Sequence, residues 1–300
     1  MNGPFSDIIG HDAVVGRLRA QLDRDVVPHA LLFHGPKHLG KGAVAAAYAA
    51  SLLATDRPEA HPDFRAIGRL RDEKTGKLKK MIGIETVREL RNHLQMTGFL
   101  GGRKVAVIDE AERMSEEAAN GLLKTLEEPS KGSVIILIAH DLTRVLPTVR
   151  SRAAVFPFMR VPDIRLEEAL RDRRFPEADV QRLSRFAAGR PGIALSLERD
   201  DDMLHWYMEQ EARWEALRRG PLHKRFSSME GLAPDRADRE ETVRTISDAA
   251  AFWETLLQRE LRRGSKDAAR LLAELATLRG SLDTNVAPRL LLERFALSME

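Results

Sequence analysis

Short apolar runs and segments of helical periodicity alternate along the first half of the chain. The apolar runs end in glycine or polar residues and predict buried strands at 29–35, 104–111 and 133–140. Alanine content, apolar spacing and capping residues predict helices at 41–54, 84–95 and 115–130. This alternation indicates an α/β fold in which helices cover both faces of a parallel sheet.

The strand patterns end near residue 158, and the remainder of the chain has helical patterns only. Between 159 and 203 the predicted helices are short and are separated by proline or glycine, whereas those from 204 onward are longer. One of the longer helices has a single apolar stripe, which is typical of the core of a helical bundle and consists of Phe252, Trp253, Leu256, Leu257 and Leu261. We therefore predict three domains, at 1–158, 159–203 and 204–300.

Composition narrows the class of protein. Hydrophobic residues make up 43% of the chain and charged residues 31%, as in a soluble globular protein. The sequence shows no apolar run long enough to span a membrane and no signal-peptide pattern. It also contains no cysteine. We therefore expect a cytoplasmic protein without disulfides, cysteine nucleophiles or thiolate metal sites. The net charge is only +3, so any basic binding site has to be local.

The loop between the first predicted strand and helix is the first candidate for chemistry. It matches the phosphate-binding pattern G-x-x-x-x-G-K-[ST] at Gly35, Gly40 and Lys41. Such loops wrap backbone N–H groups around phosphates, and their lysine reaches the terminal phosphates. Gly42 stands where a Ser or Thr hydroxyl would help to hold Mg²⁺, so the loop is degenerate at its last position. A glycine-rich turn that binds nothing is the alternative.

An acidic pair follows the second predicted strand. The apolar residues 105–108 lead directly into Asp109 and Glu110. In ATPases that carry a phosphate-binding loop, an aspartate at this place helps to hold Mg²⁺ and the next carboxylate can orient water. The alternative is an acidic helix cap just beyond a strand.

A basic segment lies between these two elements. Residues 65–80 contain seven basic and two acidic residues, a local net charge of +5, and the run EKTGK is typical of a hairpin tip. We favour a solvated hairpin, because no aromatic residue interleaves with the charges to stack on bases. Contact with DNA or with an acidic partner is the alternative.

Several motifs, taken in order, resemble the bacterial clamp-loader subunits, which are AAA+ proteins of the DNA polymerase III holoenzyme. The resemblance covers roughly residues 7–160 and is most specific in NGLLKTLEEPS, at 120–130, and in the pair Ser151-Arg152. It implies a RecA-like AAA+ domain, a helical lid and a C-terminal helical collar that assembles into a hetero-oligomer. The implied partners are the gamma/tau motor subunits and the delta subunit, with the sliding clamp and primed DNA reached through the complex.

The resemblance also implies a role for Arg152. The family places an arginine finger here, which acts in trans on the nucleotide of a neighbouring subunit. A planar and permanently charged guanidinium suits this task. Arg150 is a nearby competitor for the role, and an ordinary surface arginine is the alternative.

Three positions resemble the non-hydrolysing delta-prime type of the family rather than its motor subunits. Gly42 lacks the hydroxyl, His140 replaces a phosphate-sensing Thr or Asn but could still donate a hydrogen bond, and Gly192 replaces a lid arginine. Such a site should hydrolyse ATP poorly. Because Asp109 and Glu110 are retained, ATP binding without hydrolysis remains open, and no cofactor is required.

Two further alternatives follow from the same residues. An active clamp-loader ATPase, or another AAA+ motor, would be an enzyme rather than an architectural subunit. A free-standing DNA-binding AAA+ protein is less favoured, because the motifs at 120–130 and 151–152 are specific to clamp loaders.

Many relatives carry a four-cysteine zinc module, but this chain has no cysteine. His61 alone makes no metal site, so we predict that the chain binds no zinc.

Overall fold

The computed structural model describes residues 3–72, 74–96, 102–234, 238–282 and 284–299. The chain forms two compact units. The first comprises Met1–Glu177 with Gly189–Gly192, and the second comprises Ala178–Ala188 with Ile193–Glu300. The division into three domains at 158 and 203 stays a prediction.

The first unit is built on a five-stranded sheet in which all paired strands run parallel. Its strands are β1 (Ala30–His34), β2 (Phe64–Ile67), β3 (Lys104–Ile108), β4 (Ser133–Ala139) and β5 (Ala154–Pro157). Their order across the sheet is β2-β3-β4-β1-β5. The central strands β3 and β4 are buried along their whole length, which explains their continuous apolar sequence.

Six helices accompany this sheet: α1 (Asp12–Asp23), α2 (Lys41–Leu53), α3 (Ile84–Gln95), α4 (Glu116–Glu127), α5 (Pro147–Arg150) and α6 (Asp163–Asp172). One apolar cluster packs α1 and α2 on one face of the sheet, and another packs α3 and α4 on the opposite face. The predicted α/β class with a parallel sheet is therefore confirmed, and the strand order places β3, β4 and β1 side by side.

Two strands were absent from the sequence prediction. Both β2 and β5 lie at the edges of the sheet, and each has partly exposed residues. They consequently lack the continuous apolar pattern that identifies buried strands. The predicted hairpin near 65–80 is present: Arg71 and Leu78 form an antiparallel bridge, and Lys79 N–H donates to the carbonyl of Leu70 at 2.8 Å. Glu73, the first residue of the run EKTGK, lies outside the described residues.

The described part of the second unit is helical. Helices α7 (Glu177–Ala187) and α8 (Pro191–Leu197) start at the unit boundaries, and the longer ones are α9 (Asp201–Arg219), α10 (Leu222–Glu230), α11 (Arg239–Arg262), α12 (Lys266–Ser281) and α13 (Pro288–Leu297). No helix in the described ranges combines the length and the apolar character needed to cross a membrane.

Trp253 is the centre of the helical core. Its ring stacks on Trp214 and Phe295 with centroid distances of 5.8 and 6.1 Å, and its Nε1–H donates to the carbonyl of Gln210 at 3.1 Å. The predicted stripe is thus a core stripe, except that Leu261, in the last turn of α11, is 43% exposed.

We expect Trp253→Ala to lower the free energy of unfolding by about 3–5 kcal/mol, because it leaves a large cavity and removes the hydrogen bond to the carbonyl of Gln210. Denaturant unfolding followed by circular dichroism measures this change. Trp206→Ala, which truncates a partly exposed ring of the same kind, should cost clearly less. Equal losses in the two variants would contradict the central place of Trp253.

Candidate nucleotide site

The candidate residues of the first unit meet at one edge of the sheet. The phosphate-binding loop follows β1, the acidic pair follows β3 and His140 follows β4. These three strands are neighbours and run parallel, so their carboxyl ends present all three groups together. This is the usual place for ligands in an open parallel sheet.

Two glycines give the loop its shape. Gly35 has a φ of 143°, and a Cβ atom there would lie 2.2 Å from the carbonyl oxygen of Phe158. Gly40, with a φ of 88°, is the left-handed residue from which α2 begins. Both positions therefore require glycine, for close approach and for backbone conformation.

Lys41 points into the loop that precedes it. Its side chain is buried, and the ammonium donates to the carbonyl oxygens of Gly35 and Pro36, both at 2.6 Å. Burial lowers the pKa of Lys41 to about 8, against the opposing effect of the Asp109 carboxylate. The two carbonyls engage two of the three ammonium protons, which leaves one for a phosphate that entered the loop.

The acidic pair is held by contacts within the chain. Glu110 has a left-handed backbone with a φ of 53°, and its side chain forms a two-pronged ion pair with Arg69, whose Nη2 donates to Oε1 at 3.0 Å. Lys37 of the loop lies 3.8 Å from the same carboxylate. The hydrogen bond from Arg69, followed by the positive charges, lowers the pKa of Glu110. The carboxylate that would orient water is thus engaged by an arginine at the base of the hairpin.

His140 offers no positive charge to a phosphate at neutral pH. Burial, together with the charges of Lys41 and Lys37, lowers its pKa to about 4. Its Nδ1 is buried and has no hydrogen-bond partner in the part of the chain that the structure describes. The imidazole is therefore neutral and can serve only as a hydrogen-bonding group.

The backbone at Gly192 lies directly against the loop. Its N–H donates to the carbonyl of His38 at 2.9 Å, and both residues belong to the first unit. A Cβ atom at 192 would lie 3.0 Å from that carbonyl oxygen. The glycine therefore does more than omit an arginine, because a Cβ atom at this position would be in tight contact with that carbonyl.

Arg152 does not join this site. It precedes β5 and so lies at the amino end of the strands, whereas Lys41 follows the carboxyl end of β1. The structure thus brings together Gly35, Gly40, Lys41, Asp109 and Glu110 and leaves Arg152 apart. Sequence reasoning missed Arg69, whose only signal was its basic character within the segment 65–80. No cluster of three or more potential metal ligands occurs among the described residues.

The comparisons with known proteins relate this chain to subunits of DNA polymerase III. A family model described as DNA polymerase III, delta subunit, matches residues 10–162. The chain is 39% identical over 141 residues to DNA polymerase III subunit delta' of Pseudomonas aeruginosa, across 41% of each chain. It is 30% identical over 167 residues to subunit gamma/tau of Mycobacterium tuberculosis, across 53% of this chain and 29% of the relative. The chain thus spans less than half the length of these curated relatives.

Solved structures support the fold alone. A RuvB variant of Thermotoga maritima superposes with a TM-score of 0.50 at 18% identity, across 97% of this chain and 90% of that one.

We expect Arg69→Ala to raise the pKa of the Glu110 carboxyl group, because the hydrogen bond from Arg69 is the main cause of its lowered value. Carbon-13 NMR of the side-chain carboxyl group in the full chain measures the shift. Arg71→Ala is the matched control, since the Arg71 guanidinium donates to the carbonyl of Gly76 instead. An unchanged titration of Glu110 in Arg69→Ala would contradict the pairing.

Proposed function

The chain belongs to the DNA polymerase III delta-subunit family and resembles its delta-prime members, and we propose that it serves as a non-hydrolysing subunit of the clamp loader. In this role it helps to load the sliding clamp onto primed DNA and supplies Arg152 to a neighbouring ATPase subunit. Its partners are the gamma/tau motor subunits and the delta subunit. The location that we propose is cytoplasmic.

The state of the phosphate-binding loop is the observation that carries the non-hydrolysing role. Lys41 donates to carbonyls of its own loop, and Gly42 has no hydroxyl for Mg²⁺. Gly192 has no side chain to act where a motor subunit has its lid arginine, and its N–H donates to the carbonyl of His38. Phosphoryl transfer depends on charge neutralisation and positioning, and this site is poor in both.

The loop keeps the residue types that would hold a phosphate, namely Gly35, Gly40 and Lys41, and Asp109 would face Mg²⁺. Bound ATP would supply charged phosphates to these groups. The role that we propose does not require it, and zinc has no part in it.

An active ATPase is the second candidate, and the acidic pair favours it. The Asp109 carboxylate is close enough to Lys41 to act on its pKa, as it would in a working site. The pairing of Glu110 with Arg69 argues against an active ATPase, because this carboxylate is not free to orient water.

We propose that the region from about 204 onward forms the main assembly surface. Large apolar side chains lie exposed on its last helix, where Leu290 is 58% and Leu297 50% exposed. They are seven residues apart and so share one face of α13. Apolar faces of this kind are typical of protein–protein contacts.

We expect negligible ATP hydrolysis by the isolated full chain, with or without primed DNA. Gly42→Thr should not create an efficient ATPase, because no arginine acts from position 192 and Glu110 stays paired. Steady-state phosphate release measures ATP hydrolysis by the wild-type chain and by Gly42→Thr, with a gamma/tau motor subunit as the positive control. Turnover at the rate of that control, abolished by Lys41→Ala, would refute the non-hydrolysing assignment.

The double variant Leu290→Glu with Leu297→Glu should lose stoichiometric co-purification with the partner subunits, because two charges replace the apolar face. Val26→Glu, which alters a 69% exposed apolar residue of the first unit, should still co-purify. Circular dichroism checks that both proteins fold. Retention of the double variant in the complex would show that α13 is not an assembly surface.

A further inference from the structure

Three acceptors of the same chain surround the guanidinium of Arg152. Its Nη2 lies 2.6 Å from Oε1 of Glu127, and its Nη1 donates to the carbonyl of Thr148 at 3.0 Å and to Oγ of Ser151 at 3.2 Å. The side chain is thereby held in one orientation, although it is 36% exposed. Exposed arginines without such contacts sample many rotamers.

The backbone that carries Glu127 is held in place, although the Glu127 side chain is 49% exposed. Glu127 is the last residue of α4, and the preceding Leu126 is buried. The carbonyl of Leu126 is hydrogen-bonded to Nε2 of His29, which directly precedes β1, at 2.9 Å. The end of α4 is therefore tied to the sheet, and its negative dipole end favours a cation beside it.

The contacts leave part of the guanidinium available. None of them uses Nε, which has no acceptor among the described residues. Its N–H can donate to a phosphoryl oxygen while Glu127 stays in place. Arg150, the competitor, is exposed and forms no ion pair or side-chain hydrogen bond among the described residues.

Resting on the trans role proposed above for Arg152, we infer that Glu127 is the positioning residue of this arginine. The carboxylate fixes the guanidinium before a neighbouring subunit arrives, so less rotamer freedom is lost when the phosphoryl group is bound. Glu127 itself touches neither nucleotide nor reacting atoms. Its contribution acts only through Arg152.

The test is ATP turnover by the complete complex, reconstituted with the full chain and its partner subunits. The variants are Arg152→Ala, Glu127→Gln and their combination, with Glu128→Gln as the matched control. Glu128 is the next residue, is also exposed and forms no ion pair with Arg152. Gel filtration first checks that each complex assembles.

Arg152→Ala should reduce total turnover only in part, because the other sites of the complex keep their own fingers. Glu127→Gln should lower the turnover that depends on Arg152 by about two- to fivefold, as expected for the loss of one partly exposed ion pair. Glu128→Gln should match the wild type. In the Arg152→Ala background, Glu127→Gln should have no further effect.

The possible failures are distinguishable. If Arg152→Ala lowers turnover and Glu127→Gln does not, the finger stands and the positioning role of Glu127 is wrong. A rise in turnover in Glu127→Gln also overturns it, since the ion pair would then restrain the finger. Additive effects in the combined variant would show that Glu127 acts elsewhere. Wild-type turnover in Arg152→Ala would contradict both the finger role of Arg152 and the positioning role of Glu127.

Discussion

The ammonium of Lys41 lies inside the loop that carries it, and the rest of the site depends on this contact. The carbonyls of Gly35 and Pro36 accept its protons and hold the loop around the charge. Gly35 can take this shape only because it has no Cβ to meet Phe158. A buried ammonium needs such partners, because an unpaired one would carry a large desolvation cost. The residue that would bind phosphate thus stabilises the loop.

A second charge of the site, that of Glu110, is also paired within the chain. Glu110 is engaged by Arg69 and lies near Lys37, so the acidic element faces the base of the hairpin. The backbone of Gly192 contacts the loop where a motor subunit would present an arginine. These contacts use groups of the loop and of the acidic pair as structural ties. Under the function proposed above, the chain would act as a rigid member of an assembly whose chemistry takes place elsewhere.

The sequence predicted the parts of the structure that depend on local patterns. The loop, the buried strands β1, β3 and β4 and the helical second half follow from apolar runs, glycine positions and helical spacing. The edge strands β2 and β5 were missed because partial exposure removes the apolar pattern. The pairing of Arg69 with Glu110 joins residues 41 positions apart, and no local pattern encodes such a contact. Likewise, Gly192 signalled a missing arginine, but its contact with His38 required the folded backbone.

The titration of Lys41 tests most directly whether its ammonium serves the loop. Carbon-13 NMR of labelled lysines in the full chain gives the pKa of this group, with Lys41→Ala to assign the signal. The account predicts a pKa of about 8, lowered by burial from the ordinary lysine value. An ordinary lysine pKa would contradict it, because the ammonium would then be exposed to solvent rather than buried in its own loop.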